Sequence, residues 1–336
     1  MKRRTFNTSM LGLVSMMPLA NTIHLMEDKD KKTPLLKAGD MVGVVAPSGP
    51  IKDDRFEYVA ENLNQLGLEP VFGKYIRGKS GFLSGTDAER LEDLHSAYAN
   101  KDVKAVWCLR GGYGTTRILD QIDYKLIKKN AKPLIGYSDI TGPLLSIYRK
   151  TGIMGYHATM LASKWSEFTL EQTRVMLFGE KNEFQFEPIP EGERTDGEFA
   201  YTIVSGKAEG KLIGGNLTLL ASMCGTDFLP KFKNKLVFIE DVGEEPYRID
   251  RMLTQLKSAS DLEEAAGFVL GIFNDCNPEN AAFSFSLKET LTSQFSAIGK
   301  PTYYGAPFGH IDKIAPIPLG GEGSIDADRK LLSVKC

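Results

Sequence analysis

The stretch KPLIGYSDITGP, from Lys132 to Pro143, runs from an apolar segment directly into a serine, an aspartate and the start of a predicted helix. A short apolar run followed by helical periodicity predicts a strand–helix unit. Ser138 lies at the corner between the two elements. A serine at such a corner either caps the helix or presents a nucleophile to a substrate, and the rest of the sequence has to distinguish the two.

The same alternation of strand and helix continues on both sides of this corner. Upstream, the apolar runs MVGVVAPS, LEPVFG and VKAVWCLRGG alternate with two helical segments, and the second of these opens with a capping box formed by Thr86 and Glu89. Downstream, the strands KLVFIED and AAGFVLGIF alternate with further helices, and SIDADRKLLSV is predicted to be a last strand. Repeated strand–helix units predict an α/β fold with parallel sheets covered by helices.

The chain of 336 residues is longer than one ordinary hydrophobic core requires and therefore predicts two domains. We expect an N-terminal, Rossmann-like parallel-sheet domain over residues 35–165, which carries Ser138, and a smaller C-terminal α/β domain over residues 206–336. The segment between them, residues 166–205, is rich in charge, proline and glycine and is predicted to be a linker.

The first 34 residues differ from the rest of the chain. Lys-Arg-Arg at positions 2–4 is followed by an apolar region from about Met10 to Ala20 and by the polar tract EDKDKKTP. This layout is typical of an export signal with a linker, and the Arg-Arg-x-Phe order resembles a twin-arginine signal. We therefore expect residues 1–34 to direct the protein to the periplasm. The alternative is a frayed basic terminus on a cytoplasmic protein.

Composition limits the classes of partner. A net charge of −2 gives no electrostatic reason to expect nucleic acid. No internal stretch approaches the roughly 20 apolar residues of a membrane-spanning helix. The four cysteines are far apart and form no CxxC pair. We expect no nucleic acid, no integral membrane segment, no metal and no cofactor.

Reactive side chains follow three of the predicted strands. Ser138 follows PLIGY, Glu240 ends KLVFI, and His310 follows YYGAPFG. Ligands gather at the carboxyl ends of strands in open α/β sheets, and the order Ser, Glu, His is also that of α/β-hydrolases. A histidine can deprotonate the serine hydroxyl, and a carboxylate can orient the histidine. Taken singly, the three could be a helix cap, a surface carboxylate and a loop histidine. His157, in GYHATM at another strand end, is the competing base.

The glycine-rich turn RGGYGTTR, residues 110–117, follows a further strand. Adjacent glycines allow close approach of a ligand to backbone N–H groups, so the turn could cradle a phosphate or form part of an oxyanion hole. It lacks the spacings of known nucleotide-binding loops. The amides of Gly112 and Asp139 are the predicted oxyanion hole, and a plain tight turn is the alternative.

Five segments carry a resemblance to a known family: RGGYGTTRILDQIDY, IGYSDITGPL, GGNLTLL, FIEDVGEEPYRIDRMLTQL and GAPFGHIDKIAPIPLGGEGSID. Together they resemble the LD-carboxypeptidase family of serine peptidases, which includes murein tetrapeptide carboxypeptidases and microcin C self-immunity proteins. The resemblance extends over roughly residues 35–334, in the family's order and spacing.

The resemblance implies a Ser-His-Glu triad at the interface of the two domains. Ser138 is then the nucleophile, His310 the general base and Glu240 the residue that orients it. The implied reaction is hydrolysis, through an acyl-enzyme, of the L,D-peptide bond before a terminal D-alanine of a murein-derived peptide. Arg110 and Asn216 are candidates for holding the terminal carboxylate, although Arg110 could only neutralise an acid and Asn216 could only cap a helix. A homodimer is also implied.

Two alternatives stay open at this point. The first keeps the chemistry and changes the substrate to a peptidyl nucleotide, as in microcin C immunity. The second is an exported, non-catalytic two-domain protein that binds a small ligand. An export signal also departs from the cytoplasmic recycling role that the resemblance implies.

Overall fold

The computed structural model describes residues 35–181, 183–190 and 199–335. The predicted export signal, residues 1–34, lies outside this part of the chain. Within it, no helix is long and apolar enough to cross a membrane.

The described residues form fourteen strands, numbered in chain order. They are β1 Met41–Val45, β2 Glu69–Phe72, β3 Val103–Cys108, β4 Leu134–Gly136, β5 Gly155–His157, β6 Glu183–Phe186, β7 Tyr201–Val204, β8 Lys207–Asn216, β9 Leu236–Val242, β10 Gly267–Asn274, β11 Thr302–Gly309, β12 Ile317–Leu319, β13 Glu322–Asp326 and β14 Leu331–Lys335.

The strands build two sheets, one for each half of the fold. The N-terminal sheet has the order β12-β5-β4-β3-β1-β2, and all its neighbouring strands are parallel except β12, which runs antiparallel to β5. The C-terminal sheet has the order β6-β14-β13-β8-β9-β10-β11-β7, with β8 to β11 parallel and the outer strands antiparallel. The predicted two-domain α/β fold is therefore confirmed.

Helices connect successive parallel strands within each sheet, and α5 leads from the N-terminal sheet to the C-terminal one. They are α1 Phe56–Leu66, α2 Asp87–Ala99, α3 Tyr124–Lys129, α4 Thr141–Thr151, α5 Glu167–Phe178, α6 Leu217–Ser222, α7 Pro246–Ala259 and α8 Leu287–Ile298. The predicted capping box opens α2, where the Thr86 hydroxyl accepts from the amide of Glu89 and the Glu89 carboxylate accepts from the amide of Thr86. Helix α1 buries Val59, Leu63 and Leu66 along one face, a spacing typical of an amphipathic helix.

The segment predicted to be a linker, residues 166–205, contains regular structure. Ser166 caps α5, and the alternating EFQF of β6 buries its two phenylalanines while pairing with β14. Strand β7 pairs with β11. The high charge and the prolines of this segment obscured these patterns, so α5, β6 and β7 were not predicted within it. The domain boundaries themselves stay a prediction.

The C-terminal end of the chain differs from the sequence expectation in two ways. The predicted last strand is a hairpin, in which β13 pairs with β14. Strand β12, which follows His310, leaves the C-terminal half and completes the edge of the N-terminal sheet beside β5. No local pattern reveals this exchange, because it depends on which sheet edge is available after folding.

The two halves also meet tightly beside the nucleophile corner. The amide of Asn216 donates a 3.1 Å hydrogen bond to the hydroxyl of Thr141, the first residue of α4. Gly215 packs so closely that a methyl group there would lie 2.6 Å from the Thr141 side chain. The end of β8 is therefore fixed against the helix that follows Ser138.

Candidate active site

Ser138 is the first residue of a 3-10 turn, Ser138–Ile140, which follows β4 and leads into α4. Its φ of +60° is in the left-handed region, which is uncommon for a residue other than glycine. The side chain is half-buried, and among the described residues it forms no capping hydrogen bond with the helix. The strained corner therefore presents the hydroxyl rather than using it as a cap.

The structure brings together the three side chains that follow the strand ends. His310 Nε2 lies 3.1 Å from Ser138 Oγ, and His310 Nδ1 lies 2.8 Å from Glu240 Oε2. Ser138 comes from the N-terminal sheet, whereas Glu240, in β9, and His310, directly after β11, come from the C-terminal sheet. The three side chains form one hydrogen-bonded line across the interface between the two halves.

Glu240 and His310 influence each other's protonation. Burial acts to raise the pKa of Glu240, but the neighbouring His310 keeps that pKa below its usual value. Burial acts to lower the pKa of His310, but the Glu240 carboxylate outweighs this and raises it. Glu240, which is fully buried, is therefore held as an anion beside the imidazole.

Asp241, the next residue along β9, faces a different environment. Its carboxylate accepts hydrogen bonds from the side chain of Asn216 and from the amide and hydroxyl of Thr218, each at 2.9 Å. Burial, followed by the charge of Glu240, raises its pKa to about 6. Adjacent residues of a strand point to opposite sides, so Asp241 stabilises the start of α6 while Glu240 reaches His310.

The glycine-rich turn lies directly against the nucleophile. A methyl group added to Gly111 would be 3.0 Å from Ser138 Cβ and 3.1 Å from Ser138 Oγ. Gly112 has a φ of +123°, which favours glycine. In the described part of the chain, the amides of Gly112 and Asp139 donate to no other residue. One unengaged backbone donor thus lies in the turn, and the other directly follows the serine.

The carboxylate of Asp139 ties this turn to the nucleophile corner. It is buried and accepts hydrogen bonds from Ser48 Oγ at 2.6 Å and from the amide of Thr115 at 3.0 Å. The Thr115 hydroxyl in turn donates to the Asp139 carbonyl at 2.6 Å. From the sequence, only the amide of Asp139 was predicted to take part in the site. Thr115, the first threonine of GTTR, and the aspartate that follows the candidate nucleophile are the two residues in the sequence that could have indicated this hydrogen-bonded contact.

His157, the competing base, is not brought to Ser138. It ends β5, is 1% exposed, and neither ring nitrogen has a hydrogen-bond partner among the described residues. Burial lowers its pKa to about 4. Among the described histidines, His310 is the one that is hydrogen-bonded to Ser138.

A cavity of about 520 Å³ opens beside His310 and Tyr137. Four of its lining residues are cationic, and one is acidic: they are Lys52, Arg55, Arg110, Lys164 and Asp312. Arg110 donates a 2.8 Å hydrogen bond to the carbonyl of Pro50. None of the four cations forms an ion pair with another described residue, so the cavity suits an anionic ligand.

Asn216, the other candidate for carboxylate binding, is buried beneath the site. Its side-chain oxygen caps α6 by accepting from the amide of Leu219, and its amide group donates to Asp241. It is not among the residues that line the cavity. The structure thus shows that Asn216 caps α6, and contact of Asn216 with the substrate stays a prediction.

The loop after His310 is fastened by the start of α5. The hydroxyls of Ser166 and Thr169 each donate a 2.9 Å hydrogen bond to the carbonyl of Asp312. The Thr169 hydroxyl also accepts from the amide of Ile314 at 2.9 Å. These hydrogen bonds were not predicted from the sequence, because Ser166 and Thr169 fall in the segment predicted to be a linker.

Comparison with known proteins adds family and fold relationships to this geometry. Residues 42–158 match the N-terminal domain of LD-carboxypeptidases, and residues 209–325 match their C-terminal domain. A protein of Bacillus subtilis named "Probable murein peptide carboxypeptidase" is 38% identical over 308 residues, which cover 89% of this chain and 92% of the relative.

Solved structures of the same kind share the fold. The muramoyltetrapeptide carboxypeptidase from Oxalobacter formigenes is 28% identical with a TM-score of 0.77, and the match covers 88% of this chain and 99% of that one. An MccF-like protein from Bacillus anthracis is 26% identical with a TM-score of 0.79, covering 91% and 99% of the two chains.

Proposed function

Because this chain belongs to the LD-carboxypeptidase family, we propose that it hydrolyses the L,D-peptide bond before the terminal D-alanine of murein tetrapeptides. It is a serine-type LD-carboxypeptidase, and family membership leaves no support for the non-catalytic binding protein. The observation that carries the proposal is the hydrogen-bonded line from Ser138 through His310 to Glu240, at the edge of a basic cavity.

In the proposed mechanism, Ser138 Oγ attacks the carbonyl carbon of the scissile bond while His310 Nε2 takes the hydroxyl proton. Glu240 holds the His310 tautomer that has Nδ1–H and stabilises the imidazolium that forms. His310 then gives the proton to the leaving nitrogen, and D-alanine departs. Water, deprotonated by His310, attacks the acyl-enzyme and releases the shortened peptide.

The proposed oxyanion hole consists of the amides of Gly112 and Asp139. The Asp139 amide follows Ser138 in the chain, the Gly112 amide follows Gly111, which packs on Ser138, and both amides are unengaged in the described residues. Backbone donors of this kind stabilise the negative charge that develops on the carbonyl oxygen. The hydrogen bonds from Ser48 and Thr115 to the Asp139 side chain keep this backbone in place before substrate arrives.

The terminal carboxylate of the substrate is proposed to bind Arg110. Its side chain lines the cavity, and its Nη1 donates a hydrogen bond to the carbonyl of Pro50. A planar guanidinium can bind a carboxylate through two parallel hydrogen bonds. The other cations of the cavity favour a peptide with further carboxylates.

A release assay with purified protein tests the proposal. Wild-type enzyme is expected to release D-alanine from an L,D-linked tetrapeptide, and Ser138→Ala and His310→Ala are each expected to abolish release. Full activity in Ser138→Ala would refute the triad. If His157→Ala abolished release while His310→Ala did not, the base would be misassigned.

The same assay separates the second substrate class. The resemblance to microcin C self-immunity proteins keeps a peptidyl nucleotide as a candidate substrate. Tetrapeptide, pentapeptide and peptidyl-nucleotide substrates are compared at equal concentration. We expect the highest kcat/KM for the tetrapeptide, in agreement with the greater identity to the murein branch. A preference for the nucleotide would reassign the substrate without changing the triad.

We also propose that residues 1–34 export the enzyme to the periplasm. Replacing Arg3 and Arg4 together by lysine is expected to retain the full chain in the cytoplasm, as measured by cell fractionation. An unchanged distribution would refute a twin-arginine route. The homodimer implied by the family resemblance stays a prediction, which light scattering of the purified protein tests.

A further inference from the structure

The loop that carries His310 crosses from one sheet to the other. It leaves β11 of the C-terminal sheet after Gly309 and enters β12, at the edge of the N-terminal sheet, at Ile317. The amide of Ala315 donates a 2.7 Å hydrogen bond to the carbonyl of Pro307, which brings the two ends of the loop together. His310 thus lies on a closed loop between the two halves of the fold.

The two contacts of the His310 ring differ in the elements that provide them. Glu240 lies in β9, which belongs to the same sheet as β11, so the 2.8 Å contact with Nδ1 is made within the C-terminal half. Ser138 belongs to the N-terminal half, so its 3.1 Å contact with Nε2 crosses the interface. The contact with Ser138 therefore depends on how the loop is held against the N-terminal half.

Helix α5 is fixed to the N-terminal half. The side chain of Arg174 donates a 2.7 Å hydrogen bond to the carbonyl of Gln65 in α1. The amide of Leu36, just before β1, donates a 2.9 Å hydrogen bond to the carbonyl of Leu177. A residue of α5 that binds the His310 loop therefore ties this loop to the half that carries Ser138.

Thr169 binds the loop through both hydrogen-bonding capacities of its hydroxyl. The oxygen donates to the carbonyl of Asp312 and accepts from the amide of Ile314, each at 2.9 Å. Thr169 is 1% exposed and Ile314 is buried as well, so these hydrogen bonds are made away from solvent. The loop is thereby held two and four residues after His310.

We propose that Thr169 is a positioning residue, which holds the His310 loop on the N-terminal half and so places Nε2 on Ser138 Oγ. The role belongs to the hydroxyl, because a valine would fill the same space without either hydrogen bond. Since Thr169 acts on the triad, the inference rests on the proposed function.

The same helix offers a matched control. Thr173 lies one turn further along α5 and is fully buried, and its hydroxyl has no hydrogen-bond partner among the described residues. A change from threonine to valine therefore removes the contacts of the loop at position 169 and no described contact at position 173.

Kinetics of D-alanine release test the proposal. In Thr169→Val we expect kcat to fall about 10- to 100-fold, as for a small misplacement of a catalytic group. Thr169→Ser loses a methyl group but keeps the hydroxyl, and it is expected to restore most of kcat. Thr173→Val should keep the wild-type kcat.

A small serine-directed fluorophosphonate provides a second measurement that needs no peptide. Ser138 Oγ forms a phosphonyl ester and fluoride leaves, while His310 takes the hydroxyl proton. The rate of inactivation therefore reports on the contact between Ser138 and His310. It should fall in Thr169→Val by a factor similar to that for kcat, and should stay near the wild-type rate in Thr169→Ser and Thr173→Val.

The outcomes separate this inference from the proposed function. Wild-type kcat and inactivation rate in Thr169→Val would refute the positioning role, and so would an equal loss in Thr169→Ser, which keeps the hydroxyl. If Thr169→Val does not fold, Thr169→Ala and Thr169→Ser make the same comparison, because they differ only in the hydroxyl. If the wild-type enzyme reacts with the fluorophosphonate but releases no D-alanine from any L,D-linked peptide, the proposed function fails, and the inactivation rates still decide the role of Thr169.

Discussion

The contact between Gly111 and Ser138 makes a quantitative prediction. In Gly111→Ala the new methyl group would lie 3.0 Å from Ser138 Cβ and 3.1 Å from its Oγ. Carbon atoms prefer separations of about 3.5 Å or more, so one side must move by roughly half an ångström. Ser138 is the side that can yield by rotating or shifting, and its 3.1 Å contact with His310 Nε2 would then lengthen.

We expect this displacement to reduce kcat for D-alanine release by about 10- to 100-fold, because acyl transfer is sensitive to sub-ångström placement of the nucleophile. Overpacking of the turn should lower the free energy of unfolding by about 1–3 kcal/mol, measured by urea denaturation. KM should change little, since the cations of the cavity are untouched. The loss of rate should therefore exceed what the loss of folded protein explains.

Gly299→Ala provides the control for a loss of stability on replacing a glycine far from the nucleophile. Gly299 ends α8, its φ is +70°, and the nearest atom to an added methyl group is 4.0 Å away. This variant should lose about 1 kcal/mol of stability through backbone strain and keep full kcat. Wild-type kcat in Gly111→Ala would show that the spacing between the turn and the serine does not limit the reaction, and the reasoning would fail.

Three further predictions follow from the surrounding contacts. In Glu240→Gln the charge that raises the pKa of His310 is lost, so the acidic limb of the kcat/KM profile should move to lower pH. The plateau of kcat/KM should fall by up to about 10⁴-fold. An unmoved acidic limb would contradict the influence of Glu240 on the pKa of His310. Asp139→Asn weakens the acceptor of the Ser48 and Thr115 hydrogen bonds. It should lower the free energy of unfolding in urea by about 1–3 kcal/mol and should also lower kcat. Wild-type stability and wild-type kcat would show that the glycine-rich turn keeps its conformation without these hydrogen bonds. Arg110→Gln should raise KM for the tetrapeptide more than it lowers kcat, and an unchanged KM would place the terminal carboxylate elsewhere.

The triad was predictable because each member directly follows, or ends, an apolar run. Chain order and the topology of α/β sheets place such positions at one edge, so Ser138, Glu240 and His310 could be proposed without knowledge of the packing. The α/β class followed from the same alternation of apolar runs and helical periodicity.

The supporting contacts were not predictable in this way, since they are tertiary. The side chain of Asp139 meets Ser48, which lies 91 positions earlier, and Thr169 meets the loop after His310 across 143 positions. Nothing in the local sequence at these residues indicates which distant segment they contact. The composition of residues 166–205 also led to a wrong expectation, because its many charges and prolines concealed the capped helix α5 and the paired strand β6.

Strand β12 has a consequence for how the enzyme is made. During synthesis the nucleophile corner leaves the ribosome first, whereas His310 follows Ser138 by 172 residues and β12 comes later still. Until then β5 is an open edge, and Ser138 lacks the histidine that is proposed to deprotonate it. A nascent chain is thus expected to be inactive as a hydrolase until its C-terminal half has been made and has folded against the N-terminal sheet.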